Sequence, residues 1–247
     1  MKRTRAIEPF FYLHPNEALI HPSIVKHAAT RTIQSATFDK EDGKYHYWKT
    51  GNTFASGGLL STLKYNYYPH YQENRSKRKW KKTNIRGSTC AQGKLVDKQI
   101  GEYTIAGGKG RPKRVTSMAS ALLGYWEAMG HIPQVAQLPV EITRWNRMTQ
   151  ADYITRAPDG RLWLWEVKTG FPVGGFRKQG EFKGEFKGVS CTKYNIWQLQ
   201  LHFTREGLKK AGVDISESRI IQVHSDKSKK MTIIVHEPKS WIADATQ

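Results

Sequence analysis

Two strand-like runs, QADYITRA and RLWLWEVKTG, meet at the sequence APDGR and constrain the fold more than any other part of the chain. Pro-Asp-Gly is typical of a tight hairpin turn, so the runs are predicted to pair as adjacent antiparallel strands. Successive side chains of a strand point to opposite faces, which places Leu162, Leu164, Glu166 and Lys168 on one face. The two charged groups are then roughly 7 Å apart. A buried charge is costly unless it is paired or bound to a metal, so the pattern indicates either a structural ion pair or a functional site.

A second acid, Asp152, lies on the first of these strands, and thirteen residues separate it from Glu166. Pairing across the turn is expected to bring the two carboxylates together, with Lys168 beside them. Magnesium prefers one or two carboxylates together with waters and substrate phosphate oxygens. We therefore predict a divalent-cation site with Asp152 and Glu166 as ligands. Lys168 would orient the attacking water or neutralise charge in the transition state of phosphodiester hydrolysis.

The remaining pattern predicts an α/β fold with one mixed sheet. Helical spacing in STCAQGKLVDKQIGEY is expected to bury Leu95, Val96, Ile100 and Tyr103. Three further elements are predicted: a helix over VTSMASALLGYWEAMG, a strand over QVAQLPVEITRW, and a helix over NIWQLQLHFTREGLKKAG. Two strands, SRIIQVHS and KMTIIVHE, close the chain. The predicted order is helix, helix, three strands, helix, two strands.

Positive charge is the strongest clue in the composition. The chain carries 40 Lys and Arg against 21 Asp and Glu, a formal charge of +19, which favours a polyanionic partner such as nucleic acid. The basic run NRSKRKWKK contains Lys79, Trp80 and Lys81, and Arg86 follows it. An aromatic ring between phosphate-contacting cations suits single-stranded nucleic acid. A solvated loop or a localisation signal is the alternative interpretation of this run.

Residues 1–85 are interpreted as a basic, aromatic-rich N-terminal extension and residues 86–247 as the core domain. The two cysteines, Cys90 and Cys191, are too few for a disulfide framework or a Cys-based zinc site. No apolar run reaches the roughly 20 residues that span a bilayer, and the N-terminus has no signal-peptide pattern. These features predict a soluble intracellular protein without a membrane partner.

Asp152, the hairpin and Glu166-Val167-Lys168, set between two helices, resemble the PD-(D/E)XK nuclease superfamily, in particular its RecB-like and phage-exonuclease-like members. The resemblance covers roughly residues 86–240 and implies a restriction-endonuclease-like αβββαβ core. It further implies that Asp152 and Glu166 bind one or two Mg²⁺ or Mn²⁺ ions, with the Val167 carbonyl as a further ligand. Lys168 would assist the nucleophilic water.

RecB-like members also carry a Gln-x-x-x-Tyr motif on the helix after the third strand. Gln198 matches its first position and His202 stands where Tyr is usual, so the resemblance implies that Gln198 acts in the active site and that His202 contacts DNA. A Gly-x-x-x-His helix is common earlier in the family. Here Gly93 has the right spacing and Asp97 replaces the histidine.

The sequence does not decide which residue is the third metal ligand. An acid is common on the first strand of the family, but Gln137 occupies that place, and Glu141 lies four residues further on. Glu127, on the preceding helix, is another candidate, and Asp97 is a third. The tandem repeat GEFKGEFKG, residues 180–188, is predicted to be a mobile lid or strand-separating loop, with an inert spacer as the alternative.

The resemblance implies a metal-dependent deoxyribonuclease, with exonuclease activity expected, that processes intermediates of DNA replication, recombination or repair. A viral or phage setting is part of that expectation. Its substrate would be single- or double-stranded DNA, and other replication or recombination proteins are candidate partners. Two alternatives stand beside it. One is a non-catalytic nucleic-acid-binding protein that kept the fold, and the other is an RNA-cleaving member of the family.

Overall fold

The structure, a computed structural model, describes residues 11–30, 36–39, 44–49, 52–53, 59–69, 89–107, 115–169, 180–225 and 231–240. Five α-helices lie in these ranges: α1 (Pro22–Ala28), α2 (Leu59–Tyr67), α3 (Thr89–Ile105), α4 (Ser117–Ala128) and α5 (Lys193–Lys210). The strands of the same ranges are β1 (Tyr12–Leu13), β2 (Ala36–Asp39), β3 (Lys44–Lys49), β4 (Asn52–Thr53), β5 (Ile132–Ile142), β6 (Arg147–Arg156), β7 (Leu162–Thr169), β8 (Glu217–Ser225) and β9 (Met231–His236).

Six strands form one mixed sheet in the order β1-β5-β6-β7-β8-β9. Every neighbouring pair is antiparallel except β7 and β8, which are parallel and are joined across the sheet by α5. This is the predicted α/β arrangement, with the predicted order of elements from α3 to β9. Strands β2, β3 and β4 form a separate three-stranded sheet.

Local signals in the sequence set several of these boundaries. The side chain of Thr116 accepts a backbone hydrogen bond at the start of α4, and Thr192 does the same for α5, as expected of helix N-caps. The turn between β6 and β7 contains Gly160 with a positive φ of 84°, which glycine adopts without strain. Asp159 Oδ1 accepts the backbone N–H of Arg161 at 3.0 Å and closes the turn. The predicted hairpin is therefore confirmed.

Helices cover both faces of the large sheet. Side chains of α1, α2 and α5 share one hydrophobic core with the sheet, and side chains of α3 and α4 share the other. Val96 and Ile100 of α3 are buried as predicted, but Leu95 is 44% exposed. The expectation for Leu95 was wrong because the stripe that faces the sheet runs through positions four residues apart, starting at Val96.

The described parts of the N-terminal region pack against the core domain. Tyr12 of β1 pairs opposite Ala136 of β5, and Leu59 and Leu63 of α2 are fully buried in the core beneath α5. Tyr12 also lies against Gly101 of α3, where an added Cβ would be only 2.5 Å from its ring. None of the elements α1, α2 and β1 was predicted from the sequence. Among the described residues, no helix is long and apolar enough to cross a membrane.

The tandem repeat is a packed segment, in contrast to the mobile lid that its glycines suggested. Phe182 is 2% exposed and stacks on Tyr68, with ring centroids 5.9 Å apart. Phe186 is fully buried and meets the edge of Tyr67 at 4.9 Å. The backbone N–H of Lys183 donates to the carbonyl of Tyr67 at 2.9 Å. The two phenylalanines therefore anchor the repeat to the C-terminal end of α2.

Candidate active site

The hairpin places Asp152 opposite Glu166. Strands β6 and β7 pair from Arg156 and Leu162 up to Tyr153 and Trp165, and one step further brings the two acids face to face. The strands part at this step, and Asp152 Oδ2 accepts the backbone N–H of Val167 at 2.9 Å. The carboxylate thus takes a bond that a paired strand would otherwise supply.

Lys168 lies beside the two acids. Its Nζ donates to Glu166 Oε1, and it also lies 5.6 Å from the centre of the Trp197 ring of α5, within cation–π range. The side chain of Glu166 is 2% exposed and that of Lys168 is 15% exposed. The pair is therefore buried between the sheet and α5, with a narrow opening to solvent at the ammonium.

A third acid, Asp97, approaches from α3. The hydroxyl of Tyr153 donates to Asp97 Oδ1 at 2.7 Å, which ties the helix to β6 immediately beside Asp152. One turn earlier, Gly93 faces the end of β7, and a Cβ there would lie 3.1 Å from Thr169 Oγ1. The absence of a side chain at Gly93 allows the close approach that brings Asp97 to the site.

The three acids hold their protons more tightly than usual. The pKa of Glu166 is raised to about 8, mainly by burial and next by the Asp152 carboxylate, against the opposing effect of Lys168. Burial, helped by Asp152, raises the pKa of Asp97 to about 7. Burial also raises the pKa of Asp152, although Lys168 and the Val167 N–H oppose it. One ammonium does not balance three carboxyl groups, of which Glu166 is buried and the other two are half-buried.

Lys168 itself stays charged. Burial lowers the pKa of its ammonium, but the carboxylates of Glu166 and Asp152 outweigh that effect and raise the pKa above its ordinary value. Asp152 and Glu166 are also within hydrogen-bonding reach of each other. Two adjoining carboxyl groups share either a proton or a cation, because they cannot both ionise at low cost without one.

The donors present suit a hard divalent cation. Within the described ranges, no group of three or more His, Cys, Asp or Glu side chains is arranged to hold a metal. Asp152 and Glu166 nevertheless supply the one or two carboxylates that Mg²⁺ requires, with water and substrate oxygens completing its shell. Burial raises the pKa of both acids, and a bound cation would oppose that rise by stabilising their charged forms.

Gln198 does not reach His202. Its Nε2 instead donates to the hydroxyl of Tyr194, four residues earlier on α5, at 2.8 Å and to the carbonyl of Glu237 at 3.1 Å. The α5 residue against Lys168 is the neighbouring Trp197. The expected Gln-x-x-x-Tyr spacing therefore occurs in reverse order, because the tyrosine precedes Gln198 by four residues instead of following it.

His202 lies in a different environment. It lines a cavity of about 220 Å³ with Arg144, Glu206 and Lys210, and burial lowers its pKa. Its ring meets the edge of Phe203 at 5.0 Å. The predicted role of His202 as a DNA contact stays a prediction, but no contact joins it to Gln198 within the described part of the chain.

The other candidates for a third ligand are placed less favourably than Asp97. Gln137 lies opposite Asp152 on the neighbouring strand, in a left-handed conformation with φ of 59°. Glu127 lines a separate cavity of about 230 Å³ beside His131, and Glu141 pairs with Met148 near the end of β5. Only Asp97 of the candidates acts on the charges of Asp152 and Glu166.

The basic run and its neighbour, which hold the predicted nucleic-acid contacts Lys79, Trp80, Lys81 and Arg86, lie outside the described residues. Comparisons with protein-family models, with curated proteins and with solved structures find no match.

Several residues of the site were not predicted from the sequence. Tyr194 stands four residues before Gln198, a helical spacing that could have suggested the contact. Tyr153 directly follows Asp152, and its bond to Asp97 depends on how α3 packs. Gln222 adjoins Lys168 only because β8 pairs with β7, which no local pattern reveals.

Proposed function

We propose that this chain is a metal-dependent deoxyribonuclease whose active centre is formed by Asp152, Glu166 and Lys168. The observation that carries the proposal is the clustering of a buried carboxyl group, a second, half-buried carboxyl group and one ammonium where β6 and β7 part. A structural ion pair needs one acid and one base. The second acid and the nearby Asp97 add buried negative charge for which packing offers no reason. Such sets of perturbed groups are typical of functional sites.

Each residue has a role that its surroundings support. The Val167 N–H fixes one oxygen of Asp152, which leaves the other free to orient a ligand. Lys168 stays protonated and would offset charge that develops on the phosphodiester oxygens. Asp97, whose pKa is raised to about 7 and which is not assigned as a metal ligand, can take up the proton that the attacking water loses near neutral pH. A Mg²⁺ or Mn²⁺ ion held by Asp152, Glu166 and the Val167 carbonyl would supply Lewis-acid activation of the water and the phosphodiester.

The substrate and setting follow from charge and from the family resemblance. A formal charge of +19 favours a phosphate-backbone substrate, and most of the surplus lies in the first half of the chain. Resemblance to PD-(D/E)XK nucleases with a restriction-endonuclease-like core supports DNA as that substrate. It also supports exonuclease action in replication, recombination or repair. Gln198 is assigned to substrate positioning through its neighbour Tyr194.

The decisive experiment is digestion of end-labelled linear DNA and circular DNA, each single- and double-stranded, in Mg²⁺, Mn²⁺ or EDTA. Wild type is compared with Glu166→Gln, which keeps the size of the side chain and removes its charge. Glu102→Gln is the matched control, because Glu102 is an exposed acid on α3 paired only loosely with Lys98 at 3.7 Å. We expect metal-dependent cleavage in wild type and in the control, and a loss of at least about 100-fold in Glu166→Gln.

The other outcomes separate the alternatives. Cleavage of RNA but not DNA, still lost in Glu166→Gln, would assign the site to an RNA-cleaving enzyme. Tight, salt-sensitive binding without cleavage in any metal would contradict the proposal and indicate a non-catalytic binding protein. Resistance of the circular substrates beside digestion of the linear ones would identify an exonuclease.

A further inference from the structure

Three side chains form a small aromatic and basic surface where β9 ends beside the start of α5. The rings of Tyr194 and His236 lie 5.0 Å apart at an angle of 60°, and Lys239 Nζ lies 5.9 Å from the Tyr194 ring. Both rings are half-buried and Lys239 is exposed. We call Tyr194, His236 and Lys239 the β9 platform.

A continuous path joins the β9 platform to the candidate active site. Lys168 of β7 is in register with Gln222 of β8, and neighbouring in-register residues share a face of the sheet. Gln222 Oε1 lies 2.6 Å from His236 Nε2 on the next strand. His236 is in register with Ile220, two residues along β8 from Gln222. Two strand spacings of about 4.8 Å, combined with this offset at about 3.3 Å per residue, put the platform roughly 12 Å from Lys168. That is the distance at which a nucleotide next to a scissile phosphate could rest.

Two buried hydrogen-bonding atoms along this path lack partners. Gln198 Oε1 and Gln222 Nε2 have none among the described residues, although each glutamine is only 1% exposed. A buried polar atom without a partner costs free energy, and such atoms call for an explanation such as a ligand or an ordered water. One is an acceptor and the other is a donor, so each keeps hydrogen-bonding capacity that the described residues do not use.

Charge around the β9 platform favours an anion. Lys193 and Lys239 are exposed on either side of Tyr194. The adjoining acid, Glu237, is partly offset by Arg219, whose Nη2 lies 3.6 Å from Glu237 Oε1. Aromatic rings set among cations bind single strands by stacking bases and contacting phosphates. A duplex would bury its bases away from the rings.

We propose that the β9 platform is a nucleotide subsite that holds one unpaired nucleotide of a single-stranded end beside the active centre. The base stacks on the Tyr194 ring, the tilted His236 ring lies at its edge, and Lys239 contacts its phosphate. The inference rests on the proposed nuclease function for its place in catalysis, but the binding itself requires no cleavage.

The test is binding of a fluorescent single-stranded oligonucleotide that carries 2-aminopurine, measured in EDTA so that no cleavage occurs. Tyr194→Leu is expected to weaken binding by about 5- to 100-fold and to relieve the quenching of 2-aminopurine, because it removes the stacking ring. Tyr194→Phe keeps the ring and is expected to restore both. Lys239→Gln should lower the salt dependence of binding by about 0.7 in log–log slope. Lys209→Gln is the matched control, because Lys209 is an exposed lysine in the last turn of α5. It should change neither the quenching of 2-aminopurine nor the salt dependence of binding.

Binding and quenching that are the same in Tyr194→Leu as in wild type would overturn the subsite, whether or not the enzyme cleaves DNA. Equal losses in Lys239→Gln and Lys209→Gln would also overturn it, since they would indicate diffuse attraction. Loss of binding in Tyr194→Leu, with rescue by Tyr194→Phe, supports the subsite even if wild type shows no nuclease activity. In that case the proposed nuclease function fails while the subsite stands.

Discussion

The cost of the excess acidic groups at the candidate site can be measured as the change in the free energy of unfolding when Asp97 is replaced by Asn. The pKa of Asp97 rises from 3.8 to about 7, so the folded protein holds this proton more tightly than the unfolded chain. The free energy of unfolding is then highest below pH 4 and falls as the pH rises through 7. A shift of about 3 pKa units corresponds to about 4 kcal/mol, at about 1.4 kcal/mol per unit. We expect the free energy of unfolding to change by about half of this amount, about 2 kcal/mol, because part of Asp97 stays in contact with water.

Asn removes the titrating group and keeps an oxygen that can accept the Tyr153 hydroxyl bond. In EDTA, Asp97→Asn should therefore gain about 2 kcal/mol over wild type between pH 4 and pH 9. For a chain of this size the gain corresponds to a rise in Tm of about 4–8 °C at pH 9. Thermal unfolding followed by circular dichroism across this range measures it, with Glu102→Gln as the exposed control on the same helix. A Tm of Asp97→Asn that tracks wild type within about 1 °C at every pH would refute the electrostatic argument.

Two further predictions concern packing. Phe186→Ala in the tandem repeat should lower the free energy of unfolding by about 3–5 kcal/mol, since Phe186 is fully buried, whereas a mobile lid would lose almost nothing; urea unfolding decides between them. Gly101→Ala should destabilise the protein by about 1–3 kcal/mol because its Cβ would enter the Tyr12 ring. Gly124→Ala on α4, whose Cβ would meet no described atom within 4 Å, should instead stabilise it by about 0.4–1 kcal/mol, and a loss of equal size in both variants would contradict this account.

The sequence predicted those features that depend on short-range patterns. The turn at Asp159 and Gly160 is set by residues within the turn itself, and the register it imposes brings Asp152 opposite Glu166. Helix caps such as Thr116 are equally local. The element order from α3 to β9 followed from such signals and from hydrophobic periodicity.

Features that depend on long-range pairing were missed. The partner of Gln198 proved to be Tyr194 because the carbonyl of Glu237, beyond β9, holds the Gln198 amide on that side of α5. The place of Gln222 beside Lys168 requires β8 to pair with β7, a contact between segments more than 50 residues apart. The packing of α2 beneath α5 joins parts of the chain that are still further apart. The aromatic residues of α2 follow no clear helical periodicity, so the helix was not predicted.

Several costs that packing alone does not explain lie on the α5 side of the large sheet. Glu166 shares its face of β7 with Leu162 and Leu164, and replacing a buried ion pair by apolar residues of similar volume is often neutral or stabilising. The orphaned atoms of Gln198 and Gln222 lie on this same face, next to Lys168 along the sheet. A fold that needed these groups only for stability would have no reason to leave carboxyl groups with raised pKa values and unpartnered amide atoms side by side. A cation and a polyanionic substrate at the opening beside Lys168 would offset the charge of the carboxyl groups there, which is why we propose that these groups belong to one site.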